Sequence, residues 1–234
     1  MTGHFKRDIF EKFLIINNVV EFKEKKVKLS SGRYSNLYLN IKSLMNDVTT
    51  FDKFEDYVES FVNDKGLCPD YFIGVPEGMT KLGLIMTYTQ AKQETKSLVR
   101  PGHGYHPLPI ARGKVKKHGS LKDKYFLGNV KGKAVVLEDV LTTGNSVISL
   151  VESLIKNEAE VSAVVGVVDR LELRRDGLSV GEKLSKLGVK YYPMTSVKTL
   201  LPLAYEKLKP QESLVKKINE YYKKYGSEKF EIII

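Results

Sequence analysis

The sequence predicts an α/β fold built on a doubly wound, mainly parallel sheet, with a small N-terminal addition. Three observations carry that expectation. Short apolar runs at residues 71–75, 134–137 and 161–168 have the length and composition of strands buried on both faces. Each ends in a tight turn or a cluster of charges, and the first two lead into helically spaced apolar residues. Strand–turn–helix units of this kind cover both faces of a sheet and gather functional groups at its carboxyl edge.

Composition narrows the function. The 234 residues suffice for one well-buried domain, with about 1–45 as an N-terminal unit, 46–200 as the α/β core and 201–234 as a helical extension. No apolar run approaches the roughly 18 residues of a membrane span, so no membrane association is expected. The N-terminus is charged and amphipathic and lacks the apolar core of an export signal. A single cysteine, Cys68, excludes an intramolecular disulfide and cannot build a zinc cluster alone, which points to a reducing cytoplasm. Cys68 itself reads as a small buried hydrophobe. The net charge of +10 raises nucleic acid as a partner. Its lysine runs, at 23–28, 114–124 and 216–224, are spread along the chain and read as solvated faces. A small substrate with several phosphates also suits a positive cleft, so nucleic acid is not expected as the main partner.

Taken in order, residues 5–22 read as a helix through Phe10, Phe13 and Leu14. After Ser30-Ser31-Gly32-Arg33, Leu37 and Leu39 alternate with Tyr38, the pattern of a strand in a small peripheral hairpin. Residues 52–63 are amphipathic and helical in spacing. Beyond the strand at 71–75, Pro76-Glu77-Gly78-Met79 makes a tight loop before a helix with Leu82, Leu84 and Ile85. Such loops form anion sites at sheet edges. Residues 97–99 start a further strand, and 101–107 read as a turn-rich surface loop. His103 and His106 there lack companions for a metal. Residues 112–119 form a basic, glycine-flanked surface loop containing Arg112, Lys116 and His118.

The central stretch is 134–146. Glu138 and Asp139 stand where its strand must end, and two such charges are costly after a buried run unless they are used. Thr142-Thr143-Gly144-Asn145-Ser146 then opens a helix that ends near Asn157. Turn N–H groups and the helix dipole can hold a phosphate, hydroxyls add donors, and the carboxylates can accept from ribose hydroxyls. The chain contains neither G-x-x-x-x-G-K-[ST] nor G-x-G-x-x-G. The strand at 161–168 runs into Asp169-Arg170-Leu171-Glu172. Residues 177–187 read as a helix stopped by Gly188, 190–192 as an edge strand, and 197–208 and 212–225 as helices.

These motifs carry a family resemblance. LEDVLTTGNS, at 137–146, resembles the phosphoribosyl-pyrophosphate (PRPP) motif of type I phosphoribosyltransferases, and it occurs once. Residues 29–40 resemble the N-terminal hood of orotate phosphoribosyltransferases, several of which have lysine where Ser30 stands. Arg112, Lys116 and His118 match the flexible catalytic loop R-x-x-x-K-x-H-G position by position. V-D-R-x-E, at 168–172, resembles the segment that presents an arginine to orotate. A guanidinium is the side chain that offers a planar donor fork to a carboxylate. One departure stands out: Glu77 occupies the place where orotate enzymes commonly carry lysine, and the nearest lysine is Lys81.

The resemblance spans roughly residues 10–200. It implies a type I phosphoribosyltransferase-like fold with a small hood, and transfer of 5-phosphoribosyl from PRPP to orotate. Lys116, His118 and Asp139 would be catalytic. Arg112, Lys116, His118, Glu138, Asp139, Thr142, Thr143, Gly144, Asn145 and Ser146 would bind PRPP, while Tyr38, Thr142 and Arg170 would bind orotate. Mg²⁺ would be held mainly by PRPP, with Asp139 the candidate protein ligand. Related enzymes are homodimers with shared sites, the loop of one subunit covering the other's; Gly113 and Gly119 would be its hinges. Two alternatives stay open: a type I enzyme with a purine acceptor, and a non-catalytic PRPP sensor that binds nucleic acid.

Overall fold

The computed structural model describes residues 4–94, 106–114, 116–118 and 124–232. The expected strand start at 97–99, His103 and the hinge Gly119 lie outside the described residues. An antiparallel hairpin comes first, β1 (Val20–Lys28) with β2 (Tyr34–Leu39). The main sheet contains β3 (Tyr71–Gly74), β6 (Gly132–Leu141), β7 (Ala159–Asp169) and β8 (Lys190–Ser196). Its order is β3-β6-β7-β8, and all three pairings are parallel. Between β3 and β6 in the chain, β4 (Ile110–Ala111) and β5 (Phe126–Leu127) make a short antiparallel pair.

Alternation along the strands feeds two cores. Ala134 and Val136 of β6 join Val161 and Val164 of β7 on one side, beneath α4 (Asn145–Lys156) and α5 (Val180–Ser185). Val135, Leu137, Ala163 and Val165 face the other side. There they meet α1 (Arg7–Ile16), α2 (Val48–Asp64), α3 (Thr80–Glu94), α6 (Val197–Leu208) and α7 (Glu212–Tyr225). The helices follow from spacing and caps. α4 buries Val147, Leu150, Val151 and Leu154, one face at intervals of three and four. Asp47 caps α2 by accepting from the Thr50 amide at 2.9 Å, and Ser179 and Glu182 cap α5 reciprocally. Among the described residues, no helix is long and apolar enough to cross a membrane.

Several boundaries differ from the sequence reading. The first helix ends at Ile16, not at residue 22. Asn17 turns its side chain back onto the Phe13 carbonyl, Asn18 takes a positive φ of 55°, and β1 begins at Val20. The first strand of the expected hairpin has no readable bounds in the sequence, because VEFKEKKVK is so rich in charge. Only its start is covered, through Val20 opposite Leu39 and Phe22 opposite Leu37. The helix expected at 177–187 contracts to Val180–Ser185, because residues 174–178 form a hydrogen-bonded turn first. Cys68 is exposed rather than buried; it sits in the connection between α2 and β3. His106 is no metal ligand: its ring nitrogens engage the Asp70 carbonyl and Glu94, each at 2.9 Å.

Candidate active site

Parallel register brings the functional groups to one edge. β6 does not end at Glu138 and Asp139 as their charge suggests. Pairing continues from Glu138 opposite Gly166 to Leu141 opposite Asp169, which keeps the acidic pair in the last residues of the strand, near Arg170 beyond β7. The loop after β3 closes against them. A Cβ at Gly78 would lie 2.7 Å from Asp139 Oδ2 and 3.0 Å from Lys42 Cε, so a side chain there would have to displace both of these groups. Gly144 caps α4 with a φ of +64°, and a Cβ there would strike Val180 at 2.7 Å. That pairing fixes the 142–146 loop over the helix N-terminus, where amides and dipole favour an anion.

Two cavities meet at this edge. One, of about 140 Å³, is lined by Pro76 and Gly78, by Glu138 and Asp139, and by Thr142, Thr143, Gly144, Asn145 and Ser146. The other, of about 250 Å³, is lined by Tyr38, Asn40 and Arg170. Ser30, Lys42, Asp139, Val140 and Thr142 border both. The Ser30 and Thr142 hydroxyls face each other at 3.4 Å, joining the hairpin to the loop.

The two carboxylates have different environments. Asp139 is half-buried, and its Oδ1 accepts from the Val140 amide at 2.8 Å. Glu138 is 8% exposed, and its pKa is pushed well above the usual carboxylate value, by burial first and by the Asp139 charge second. The folded chain therefore holds this proton more tightly than the unfolded chain does. The associated stability is full below pH about 4.5 and is lost as pH rises through the elevated value. Glu138→Gln should abolish that loss. In melting curves from pH 4 to 9, the variant's gain in Tm should be nil at the acid end and largest at the alkaline end. An equal gain at every pH would refute the assignment.

Arg170 is fully buried, 1% exposed. Its Nε donates to Glu172 at 2.7 Å, and its terminal nitrogens donate to the Leu37 carbonyl at 3.3 Å and the Ser35 hydroxyl at 3.2 Å. Glu172 in turn accepts from Arg33 at 2.8 Å. Arg170 thus lines the larger cavity, but its guanidinium is buried and engaged with Glu172, Leu37 and Ser35, where it holds the hairpin to the sheet.

Lys116 and His118 are exposed and line neither cavity, nor does the half-buried Arg112. Their segment nevertheless starts beside the site, since a Cβ at Gly113 would lie 3.4 Å from Glu77 Oε1. Lys81 does not replace the missing loop lysine, because its ammonium donates to the Met45 carbonyl at 3.2 Å. Lys42, which the sequence reading passed over, is the exposed cation that borders both cavities. Its charge opposes the upward shift of Glu138. The one signal for it was its place three residues beyond the hairpin strand.

The phosphate loop at the carboxyl edge of a parallel sheet, the acidic pair and the capping hairpin define a type I phosphoribosyltransferase fold. Orotate phosphoribosyltransferase from Francisella tularensis shares it, with a TM-score of 0.65 at 21% identity over 94% of this chain and 100% of that one. No family model matches the chain. Two curated orotate phosphoribosyltransferases align over 178 residues, 75% of this chain. That of Pyrococcus horikoshii is 34% identical over 84% of its length, and that of Pyrococcus abyssi 33% identical over 86%. The chain belongs to the orotate phosphoribosyltransferase family.

Proposed function

We propose that the chain transfers the 5-phosphoribosyl group of PRPP to orotate, giving orotidine 5′-monophosphate and pyrophosphate in pyrimidine synthesis. The observation that carries this is the pair of cavities sharing Asp139, Lys42 and Thr142. The smaller, formed by the phosphate loop, suits a ribose 5-phosphate. The larger, bounded by Tyr38 and Arg170, suits a flat carboxylated ring. A sugar anchored in the first presents its anomeric carbon at the common wall, within reach of a ring nitrogen in the second.

Breaking the bond from the anomeric carbon to pyrophosphate leaves oxocarbenium character on the ribose and charge on the leaving group. Asp139 accepts from the ribose hydroxyls and stabilises the developing positive charge, and Glu138 supports the sugar beside it. Lys42, like Asp139, lies beside Gly78 and supplies positive charge toward the pyrophosphate. The donor set fits Mg²⁺, since a carboxylate oxygen faces the cavity and a hard cation takes its remaining ligands from substrate and water. Asp139 would hold the ion, which when bound neutralises pyrophosphate oxygens.

Lys116 and His118 complete the site from a second copy. In a homodimer the loop that carries the exposed Lys116 and His118 covers the partner's cavities, excludes water and brings His118 to protonate the leaving group near neutral pH. The test of the activity is direct. The chain is incubated with PRPP, Mg²⁺ and a panel of bases while orotate absorbance and pyrophosphate release are followed. Turnover with orotate alone is expected. Turnover with a purine alone would reassign the acceptor, and PRPP binding without any turnover would make the chain a sensor.

A further inference from the structure

On the far side of the 142–146 loop from the reaction cavities lies a larger cleft. Its volume is about 790 Å³, against about 140 and 250 Å³ for the reaction cavities. The hairpin turn around Gly32, the 174–176 turn after β7 and one face of α7 wall it. Organic ligands occupy sites of roughly 300–1,000 Å³.

The walls are positive. Lys26, Arg33, Arg174, Arg175, Lys217 and Lys224 line them, against two acids, Asp176 and Glu220. Arg33 is committed to Glu172 at 2.8 Å, and Arg174 faces Asp176 at 3.4 Å. The other four cations are exposed, and none of them forms an ion pair among the described residues. Two rings accompany them: Tyr34, 57% exposed at the rim, and Tyr225, over which the Arg33 guanidinium lies at 4.5 Å. Cations beside an accessible ring suit a base carrying phosphates better than phosphate alone.

The cleft shares a wall with the reaction site. Thr143 and Asn145 line both it and the smaller cavity. Arg174 braces that wall, donating to the Thr143 carbonyl and, at 3.1 Å, to Asn145 Oδ1. An anion in the cleft competes with the loop for this guanidinium.

We propose that the cleft binds a nucleoside polyphosphate, which draws Arg174 away from the phosphate loop and weakens PRPP binding. The inference rests on that loop holding PRPP. ATP is the probe, titrated by calorimetry into the full chain at several PRPP concentrations. Its Kd should rise several-fold and then level off. At saturating ATP the PRPP Kd should rise by the same factor, as reciprocal coupling requires. A Kd that climbs without limit would mean one shared site, and a Kd independent of PRPP would mean no coupling; either overturns the proposal.

The double variant Lys217→Ala/Lys224→Ala should weaken ATP binding at least tenfold and keep wild-type orotate turnover when ATP is absent. Unchanged ATP affinity in that variant overturns the site. Inorganic tripolyphosphate should bind less tightly than ATP, and equal affinity would remove the nucleoside from the assignment. A single-stranded oligonucleotide that binds more tightly than ATP through the same two lysines would replace it with nucleic acid. Failure of the unmodified chain to turn over orotate would strike the proposed function, while ATP binding would still be read independently.

Discussion

Lys116→Ala and Asp139→Asn are each expected to lower orotate turnover by about 10²-fold or more, and mixing the two proteins is expected to restore it. Loss of a charge-assisted contact that strengthens in the transition state costs about 3 kcal/mol, which is a factor of about 10². Neither change should unfold the chain. Lys116 is exposed, and a carboxamide oxygen at position 139 can still accept from the Val140 amide that Asp139 engages at 2.8 Å. In a dimer that exchanges loops, a mixed pair has one site with both lesions and one with neither. Random exchange makes about half of the dimers mixed, so about a quarter of all sites regain wild-type composition. Turnover near that level, with exchange followed by mass spectrometry, is the predicted outcome. Activity that stays at the level of the separate variants despite complete exchange would place Lys116 in its own subunit's site.

The second large effect belongs to Arg170. Arg170→Ala should destabilise the fold by about 3–5 kcal/mol, because it takes one of two guanidinium partners from a buried carboxylate and frees the Leu37 and Ser35 acceptors. The Glu172 side chain is fully buried, and its other partner is Arg33 at 2.8 Å. For a chain of this size the expected fall in Tm is about 10 °C. Orotate KM should rise as well, since Arg170 lines the larger cavity and braces the hairpin strand that carries Tyr38, while PRPP affinity should be nearly unchanged. Arg170→Met/Glu172→Met separates the two roles. Replacing a buried ion pair by apolar groups of similar volume recovers much of the stability but restores no donor for a carboxylate. Wild-type orotate kinetics in that double variant would confine Arg170 to holding the hairpin.

The parts of the site that were readable in the sequence are those whose chemistry is contiguous. The apolar run, the acidic pair, the Thr/Gly/Ser turn and the helix face of 134–155 are all local, and each forms as its residues require. Lys42 was not readable. It lies in a short 3₁₀ turn, Ile41–Met45, and its place at the site arises only because Gly78, in the loop after β3, and Asp139, in β6, come beside it. Lys81, nearer in sequence to the pyrophosphate loop, was the more obvious substitute and is turned onto Met45. β1 escaped for a different reason: a hairpin strand half in water needs few apolar residues, and its charges mask the alternation at Val20 and Phe22. Arg170 could be read as a donor, but not as a buried brace, because Ser35 and Leu37 lie more than a hundred residues away.

The brace has a consequence for the order in which a ribosome can complete the molecule. The phosphate loop needs β6, α4 and the start of α5, all emitted by residue 185. The larger cavity depends on the β1–β2 hairpin, which is held by the 172–173 segment and α7. Arg33 bonds to Glu172, its guanidinium lies over Tyr225, and the Leu173 amide donates to the Tyr225 carbonyl. A nascent chain can therefore shape its sugar-phosphate pocket while the hairpin still waits for α7. The hairpin side of the site cannot be completed before α7 has been made, although that helix lies some two hundred residues further along the chain.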